Sequence, residues 1–420
     1  MKPGQQTLTQ KVLARAAGKK HVLPGEVIHP VPELVIIHDG YVETAFRELT
    51  NLGYGRIASP EKVVFVTDHE VLYSSPQTAA RGARIREIAR HWQVGRFYDV
   101  GQGGHGHLFP IEQQLVRPGM FLFAYDMHCT NFGAVGAVAV GVGPEITSVL
   151  ATGTLWVEVP ETILVNLHGE LRSGVHPRDV GFVLAKGLST NRWDVSPDYR
   201  VVQFGGPGLR GLDLSARVAL CNSITEIGVA NVAFPPPSDL TEGVSSDPDA
   251  AYLSTIDIDL SAIEVQVALP GGPENAAALD SVAGQRIDHA FLGSCGSGMY
   301  EDFAAAAAVL KDRRVAPGVR LFVVPGTVST ATRMAQDGLQ QTFQEAGAIL
   351  LPPGCGPCAG GIMAPLGDGE ISISTAATNH SGRFGSREAQ AYLASPLTVA
   401  ASAISGVITA AQTHSKQEPR

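Results

Sequence analysis

Short apolar runs alternate with longer segments of helical periodicity over most of the chain. Runs of four to five residues rich in Val, Ile and Phe are typical of strands that are covered on both faces. Such strands are predicted at Glu33–Ile37, Val63–Thr67, Met120–Ala124, Arg320–Val324 and Ala348–Leu351. Helices are predicted at Tyr41–Leu52, Gln77–His91, Glu301–Leu310 and Val328–Ala346. This alternation indicates an α/β protein with parallel sheets.

The first twenty residues have no acidic side chain and five basic ones, a composition that transit peptides share. However, Leu8, Val12 and Leu13 repeat at helical spacing behind Thr7, which is a candidate N-cap. We therefore expect an ordinary first helix here. A cytoplasmic protein is the default expectation.

The middle of the chain follows a different pattern. Thr154–Leu171 alternates as a half-buried strand does, and Pro177–Leu188 is predicted to be a helix with proline in its first turn. Phe234–Asp249 is rich in Pro, Ser and Asp and is too polar for a core. Ile256–Leu269 is again strand-like. Boundaries near residues 160 and 285 divide the chain into three predicted domains, 1–160, 161–285 and 286–420.

Composition and charge exclude several classes of protein. Hydrophobic residues make up 44% of the 420 positions and charged residues 17%, which excludes a disordered chain. The longest apolar runs, Ala134–Val142 and Ala304–Leu310, are too short to span a bilayer. A net charge of −9 without a basic stripe argues against nucleic acid as a partner. Five cysteines, an odd number, fit a reducing compartment better than a disulfide framework.

Three cysteines lie in glycine-rich loops behind predicted strands. Cys295 stands in LGSCGSG, and Cys355 and Cys358 stand in PGCGPCAGG. Thiolates in such loops, where backbone N–H groups can face sulfur, are what an iron–sulfur cluster requires. Because there are three ligands rather than four, one iron would lack a protein ligand and could act as a Lewis acid toward substrate oxygens. Cys129 and Cys221 have no spacing partner and are expected to be buried thiols.

The spacing of these cysteines leaves two other interpretations open. Cys-Gly-Pro-Cys is also a thioredoxin-type redox motif, although that motif opens a long helix and the prolines and glycines around it here disfavour one. A structural zinc site is the second alternative, and it usually has another Cys-x-x-Cys or a pair of histidines near by. From the residue pattern alone, the cluster, the redox motif and zinc all remain possible.

Pairs of Asp and His follow the predicted strands. They are His38-Asp39, Asp68-His69 and Asp126-Met127-His128, with His105 and His107 in a glycine-rich loop. A carboxylate that contacts an imidazole fixes its tautomer and raises its basicity, which suits general acid catalysis near pH 7. Because sites of α/β proteins form at the carboxyl ends of strands, the three pairs are predicted to share one site.

The order of these motifs resembles the large subunit of the aconitase superfamily, in particular 3-isopropylmalate dehydratase and homoaconitase. The resemblance covers nearly the whole chain. It is carried by TLTQKVLARAAGKKHVLPGEV, TDHEV, LVRPGM, ATGTLWVEVPETILVNLHGEL, KDRRVAPGVRLFVVPGT, GCGPCAGG and YLASPLTVAASAISGVIT. It implies three α/β/α domains around a central [4Fe–4S] cluster. The family's swivelling domain, which carries the carbon base, is expected on a separate small subunit, because the chain ends soon after the last motif.

The resemblance also implies roles for individual residues. Three cluster ligands are implied, at Cys295, Cys355 and Cys358. Catalytic roles are implied for Asp68 and His69, which would help the substrate hydroxyl to leave, and for His107, Asp126, His128 and Glu226. Substrate-binding positions are implied for His38, Met127, Asn222, Thr378 and Arg383.

The chain departs from the family pattern at three places. Asp-Ser-His of the family is Asp126-Met127-His128 here, and Gly-Ser-Cys-Thr-Asn-Gly is Gly-Ser-Cys295-Gly296-Ser297-Gly298. Thr378 stands where the family has an arginine, and threonine cannot form the planar, bidentate pair that arginine makes with a carboxylate. We therefore predict a hydro-lyase that acts on a hydroxy acid of the isopropylmalate or aconitate type with altered specificity. The alternative is a cluster-bearing binding or iron-sensing protein that has lost dehydratase activity.

Overall fold

The computed structural model describes residues 5–236 and 244–411. The predicted loop Phe234–Asp249 and the end of the predicted third domain therefore lie partly outside the described residues. The helices in these ranges are α1 Leu8–Ala16, α2 Asp39–Asn51, α3 Pro76–His91, α4 Phe109–Glu112, α5 Ile146–Thr152, α6 Pro177–Ser189, α7 Leu214–Ser223, α8 Tyr300–Leu310, α9 Val328–Gln336, α10 Leu339–Ala346 and α11 Pro396–Ser405. The strands are β1 Val27–Ile28, β2 Leu34–His38, β3 Val63–Val66, β4 Arg96–Tyr98, β5 Phe121–Ala124, β6 Val138–Gly141, β7 Val157–Glu158, β8 Thr162–His168, β9 Val201–Gly205, β10 Asn231–Ala233, β11 Ser254–Asp259, β12 Gln266–Ala268, β13 Ala276–Ala278, β14 His289–Leu292, β15 Arg320–Val323, β16 Ile349–Leu350, β17 Ile371–Ser374 and β18 Gln390–Leu393.

The strands form three mainly parallel sheets and a short antiparallel pair, β1-β7. The first sheet has the order β4-β3-β2-β5-β6 and is parallel throughout. The second, β10-β9-β8-β11, is parallel as well. The third, β13-β12-β18-β17-β14-β15-β16, is parallel from β18 to β16 and has two antiparallel strands at one edge. The predicted α/β class is confirmed.

The first helix forms where the sequence predicts it. The side chain of Thr7 accepts a hydrogen bond from the backbone N–H of Gln10, and the side chain of Gln10 accepts one from the N–H of Thr7. This reciprocal capping box satisfies two N–H groups that a helix start leaves unpaired. The apolar face of α1, with Leu8, Val12 and Leu13, is buried.

The predicted helix Val328–Ala346 is wrong in one respect, because the structure has two helices there. Gly338, between α9 and α10, has a φ of +78°. A continuous right-handed helix cannot contain this left-handed conformation, and glycine adopts it without a steric cost. Both helices contribute to one hydrophobic cluster, α9 with Met334 and α10 with Phe343. Each segment is helical by itself, so the sequence gives little sign of the break between them.

The first two sheets share one hydrophobic core. A single cluster of buried residues contains Ile36 and Val64 from the first sheet and Val165 and Val202 from the second. The third sheet packs against separate hydrophobic clusters, one of which contains Leu292 of β14 and Leu321 of β15. Strands β12 and β13 precede residue 285 in the chain and pair with the third sheet. The division at residues 160 and 285 stays a prediction.

Gly133 provides a test of the packing between the first two sheets. It lies in the 3₁₀ segment Met127–Val135, where a Cβ would lie 1.7 Å from the carbonyl oxygen of Val232 in β10. We expect Gly133→Ala to lower the free energy of unfolding by about 3 kcal/mol or more, because backbone must move to relieve the overlap. Thermal and urea unfolding measure the loss. Gly211→Ala is the control, since a Cβ there meets no atom within 4 Å. Equal stability of the two variants would contradict this account.

Candidate active site

Loops at the carboxyl ends of parallel strands from the first and third sheets meet in the middle of the protein. His38 is the last residue of β2, Asp68 and His69 follow β3, and Asp126 follows β5. Cys295 follows β14 in the third sheet. The two sets of loops contact each other directly, because the Cys355 N–H donates to the carbonyl oxygen of Asp68 at 2.8 Å. The structure brings the Asp–His pairs and the cysteine loops together.

All three predicted cluster cysteines are buried, and each has a polar neighbour near its sulfur. The Asn222 amide donates to Cys295 Sγ at 3.2 Å, and His105 Nε2 lies 3.2 Å from Cys355 Sγ. Arg383 Nη2 lies 4.0 Å from Cys358 Sγ. Burial raises the pKa of the Cys358 thiol, but the nearby Arg383 charge and a backbone N–H outweigh burial and lower that pKa below its usual value. These surroundings favour a thiolate at Cys358.

Several buried polar atoms around the three cysteines have no hydrogen-bond partner within residues 5–236 and 244–411. They are His107 Nδ1, Asn222 Oδ1, Arg178 Nε and Nη1, Thr378 Oγ1 and Arg383 Nε. Buried polar groups are nearly always paired, so this concentration indicates a ligand with polar or charged atoms. Ring nitrogens of His105 and His107 also lie within 4.8 Å of Cys295 Sγ. Three thiols, with the unpaired N–H groups of Arg178 and Arg383 near them, fit an iron–sulfur cluster.

Asp68 is the centre of a buried hydrogen-bonded group. Its carboxylate lies 2.9 Å from His38 Nδ1 and 2.8 Å from His69 Nδ1, and it accepts from the N–H of Gly106 at 2.8 Å. Burial by itself raises the pKa of Asp68, but the charges and hydrogen bonds of the two histidines bring it well below the usual range. Asp68 is therefore an anion at neutral pH. His38 also reaches His107, with 3.1 Å between their Nε2 atoms.

His69 is the more accessible histidine of this group. Burial lowers the pKa of His69, whereas the charges of Cys355 and Asp68 raise it, and the net result lies well above the ordinary value. Its Nδ1 contacts both Asp68 and Asp39, the latter at 3.0 Å. With Nδ1 held by two carboxylates, the imidazole keeps a fixed orientation and stays protonated at neutral pH.

A second set of charged groups lies beside Cys295. His128 Nδ1 lies 2.9 Å from Asp126 Oδ1, and His128 Nε2 lies 2.9 Å from Glu226 Oε1. Burial lowers the pKa of His128, but the charges of Asp126 and Cys295 raise it well above its usual value. His107 differs, because burial and the neighbouring His38 bring its pKa well below the usual range. His107 is therefore neutral and His128 is a cation.

The two departures at substrate-binding positions differ in their surroundings. Met127 is one of the exposed apolar side chains, with 42% of its surface accessible. Thr378 is buried, and its hydroxyl oxygen has no partner in the part of the chain that the structure describes. Cys129 and Cys221 lie outside this site as fully buried free thiols. Burial raises their pKa values, and the expectation of buried thiols is confirmed.

Sequence reasoning gave no site role to Asn131 and Arg178, whereas Asp39 and His105 were already candidates as members of the Asp–His groups, and the structure brings all four residues to this place. Asp39 contacts His69, and His105 contacts Cys355. Asn131 donates to the carbonyl oxygen of Cys295 at 2.9 Å, and Arg178 lies behind the same loop. The glycine-rich run around His105 was a usable signal, whereas no motif marks Asn131 in the 3₁₀ segment Met127–Val135 or Arg178 in the first turn of α6. Burial also lowers the pKa of His105 to about 4, so this histidine is neutral.

Comparison with known proteins agrees with this geometry. The sequence profile of the Aconitase family (aconitate hydratase) matches residues 10–242 and 237–406. The chain is 37% identical over 415 residues to 3-isopropylmalate dehydratase large subunit 1 of Methanopyrus kandleri, covering 96% of this chain and 98% of that one. It is 37% identical over 421 residues to a probable methanogen homoaconitase large subunit of Methanothermobacter thermautotrophicus, covering 96% and 97%. The 3-isopropylmalate dehydratase large subunit of Mycolicibacterium smegmatis is 36% identical over 421 residues, covering 97% of each chain.

A solved structure has the same fold. Crystalline aconitase X of Thermococcus kodakaraensis in its holo-form superposes with a TM-score of 0.53 over 88% of this chain and 89% of that one, at 12% identity. In the described ranges, no helix has both the length and the apolar character needed to cross a membrane. The match to the family extends over nearly the whole chain and includes the cysteine loops and the Asp–His pairs. This chain belongs to the aconitase family of hydro-lyases.

Proposed function

We propose that this chain is the large subunit of a [4Fe–4S]-dependent dehydratase or isomerase that acts on a hydroxy acid of the isopropylmalate or aconitate type. The observation that carries the proposal is the position of three buried thiols between two Asp–His groups that differ in arrangement. On one side, Asp68 holds a protonated His69 next to Cys355. On the other, His128 lies between two carboxylates next to Cys295.

Cys295, Cys355 and Cys358 would hold the cluster. When bound, such a cluster supplies a Lewis-acidic iron that polarises oxygen atoms of a hydroxy acid. The residues around it then need only to donate protons, bind the substrate anion and keep the groups oriented. Arg383 is the cation in position to bind a carboxylate, because its Nε has no partner and the side chain lies beside Cys358.

His69 is the proposed proton donor to the leaving hydroxyl group. Its Nδ1 is held by Asp39 and Asp68, so Nε2 is the nitrogen that remains for proton transfer. Because the pKa of His69 is raised, the imidazole stays protonated at neutral pH and can donate this proton to the leaving hydroxyl group. His128 has a carboxylate at each of its ring nitrogens, which suits a fixed positive charge that orients the substrate better than it suits a proton carrier.

A small subunit is proposed as the source of the carbon base. The relatives with 36% and 37% identity are named large subunits and match this chain over nearly their full length, which supports a two-subunit enzyme. We assign the complex to the cytoplasm, since all five cysteines are free thiols and a reducing compartment keeps them so.

Anaerobic reconstitution with iron and sulfide, followed by assays of several hydroxy acids, tests the proposal. We expect formation of an unsaturated acid only when the small subunit is present. Efficient turnover by the chain alone would place the carbon base within it and contradict the two-subunit assignment. A cluster-loaded complex that dehydrates none of the acids would instead support the alternative of an iron-sensing or binding protein.

The missing arginine at position 378 predicts altered specificity. Losing a hydrogen bond to a charged group costs roughly 1.5–3 kcal/mol, so we expect a compact dicarboxylate to be used about 10–100-fold less well than by enzymes with the arginine. Thr378→Arg should recover about tenfold or more in kcat/KM for 3-isopropylmalate.

Thr378→Gln is the control for Thr378→Arg, because glutamine is larger than threonine but has no charge. Circular dichroism and iron content establish that both variants fold and carry the cluster. If the unmodified complex already uses 3-isopropylmalate with a kcat/KM of about 10⁴ M⁻¹s⁻¹ or more, an ordinary enzyme value, the specificity hypothesis fails.

A further inference from the structure

Arg178 is the largest side chain that the described part of the chain buries completely. It stands in the first turn of α6, behind Pro177, and points into the protein rather than to solvent. Its guanidinium carbon lies 5.2 Å from the centre of the Phe182 ring. Fully buried arginine is rare unless an anion compensates its charge, so the partner of this guanidinium needs an explanation.

The protein groups around Arg178 do not satisfy it. Nη2 donates to the carbonyl oxygen of Ala376 at 2.6 Å, while Nε and Nη1 have no partner among the described residues. Burial lowers the pKa of Arg178 to about 10, so the group is still a cation at pH 7. The neighbouring carboxyls are weak counter-charges, because burial raises the pKa of Asp302 to about 8 and that of Asp179 to about 7.

One of the two unpaired nitrogens of Arg178, Nη1, faces the loop of Cys295. A Cβ on Gly296 would lie 2.3 Å from Arg178 Nη1 and 2.4 Å from Asn222 Oδ1. Arg178 Nη1 and the unpaired amide oxygen of Asn222 therefore approach the same point beside Cys295. Only glycine at position 296 leaves room for both, and this is one of the positions at which the chain departs from the family motif. The other end of the Asn222 amide donates to Cys295 Sγ.

Arg178 is also close to the loop of the third cysteine. The Ala376 carbonyl that Arg178 binds immediately precedes Ala377, whose backbone N–H donates to the Cys358 sulfur. The charges of Cys295 and Cys358 both act on the guanidinium. A cation with two free donor nitrogens thus lies between the loops of two cluster ligands, on the side that has no access to solvent.

We propose that Arg178 is the buried counter-charge of the cluster site, a positioning residue that offsets the negative charge of the thiolate-bound cluster and orients Asn222 toward Cys295. The inference rests on the proposed function, because it requires a cluster at these cysteines. It explains together the complete burial of the arginine, its two unpaired nitrogens and the glycine at position 296. The Asn222 oxygen would face the guanidinium, which leaves the amide N–H groups for sulfur.

The reduction potential of the reconstituted cluster tests this role. A nearby positive charge favours the reduced, more negative cluster. We expect Arg178→Gln, which keeps a donor for the Ala376 carbonyl but removes the charge, to lower the reduction equilibrium constant at least tenfold, about 59 mV for one electron. Arg178→Lys keeps the charge and should stay close to the unmodified protein. Redox titration followed by EPR measures all three.

The outcomes separate this inference from the proposed function. If the unmodified protein forms no cluster, the proposed function fails and the counter-charge role fails with it. If clusters form and Arg178→Gln has the unmodified potential, Arg178 is merely structural and the counter-charge role is overturned. A lower melting temperature alone would not support it, because a structural arginine would also cause that loss.

A second variant keeps the test decisive if Arg178→Gln does not fold. Gly296→Ala retains the arginine but places a methyl carbon 2.3 Å from Nη1 and 2.4 Å from Asn222 Oδ1, so it should displace the guanidinium and lower the midpoint potential. The Gly296→Ala/Arg178→Lys double variant should lose less stability than the sum of the losses of the two single variants, because both changes act at one contact. An unchanged potential in Gly296→Ala, or additive losses, would contradict the proposal.

Discussion

Replacing Cys358 by serine should abolish the brown chromophore of the anaerobically reconstituted protein. Cys358 is buried in the 3₁₀ segment Gly356–Cys358, and its pKa is lowered because Arg383 and a backbone N–H outweigh the effect of burial. A serine hydroxyl at this place is a poor ligand for iron, and two remaining thiolates do not hold a cubane cluster. Iron and sulfide analysis together with visible absorption measure the loss.

Cys129→Ser is the matched control. This thiol is also buried, but burial raises its pKa, and it lies in the hydrophobic core that the first two sheets share. We expect the variant to keep its iron and sulfide, and exposure to oxygen should convert the cluster to a three-iron form visible by EPR. About one zinc per chain without iron or sulfide would contradict the cluster and favour a structural zinc site.

Asp68→Asn should lower kcat by about 10²–10⁴-fold, the range that general acid catalysis contributes. The variant preserves the size of the side chain but removes the charge that His38 and His69 share. Since the Asp68 carboxylate helps to raise the pKa of His69, its loss lowers that pKa. His69 then loses its proton at lower pH, so the alkaline limb of the kcat profile should move to lower pH.

The chain offers an exposed Asp–His pair as the control for this prediction. Asp257 Oδ1 lies 2.9 Å from His168 Nε2, and both side chains are largely exposed on the second sheet. Asp257→Asn should leave kcat and its pH profile unchanged, because solvent screens such a pair. Iron content must be equal in both variants for the comparison to hold. An Asp68→Asn enzyme with unmodified kcat would remove His69 from its proposed role.

Much of the fold was predictable because its elements are encoded by local patterns. The buried strands β2, β3, β5 and β15 are short apolar runs, and Thr7 with Gln10 forms the predicted helix start. Local pattern failed at Gly338, where two helical segments are separated by a break that depends on one left-handed residue. The helix propensity of a segment does not reveal a single positive φ when helical sequence lies on both sides of it.

The sequence by itself determined which reactive side chains this protein has and in which order. They are three cysteines in glycine-rich loops and carboxylate–imidazole pairs after strands, in the order of the aconitase family. Only the tertiary structure decided which groups pair. Asp68 contacts two histidines, and His105 contacts Cys355, which is 250 positions away in the sequence. Arg178 comes from α6, the helix between β8 and β9 of the second sheet. Such pairings arise where loops from different sheets exclude water together, and burial there sets both the charge of each group and its need for a partner. No pattern within one segment contains that information.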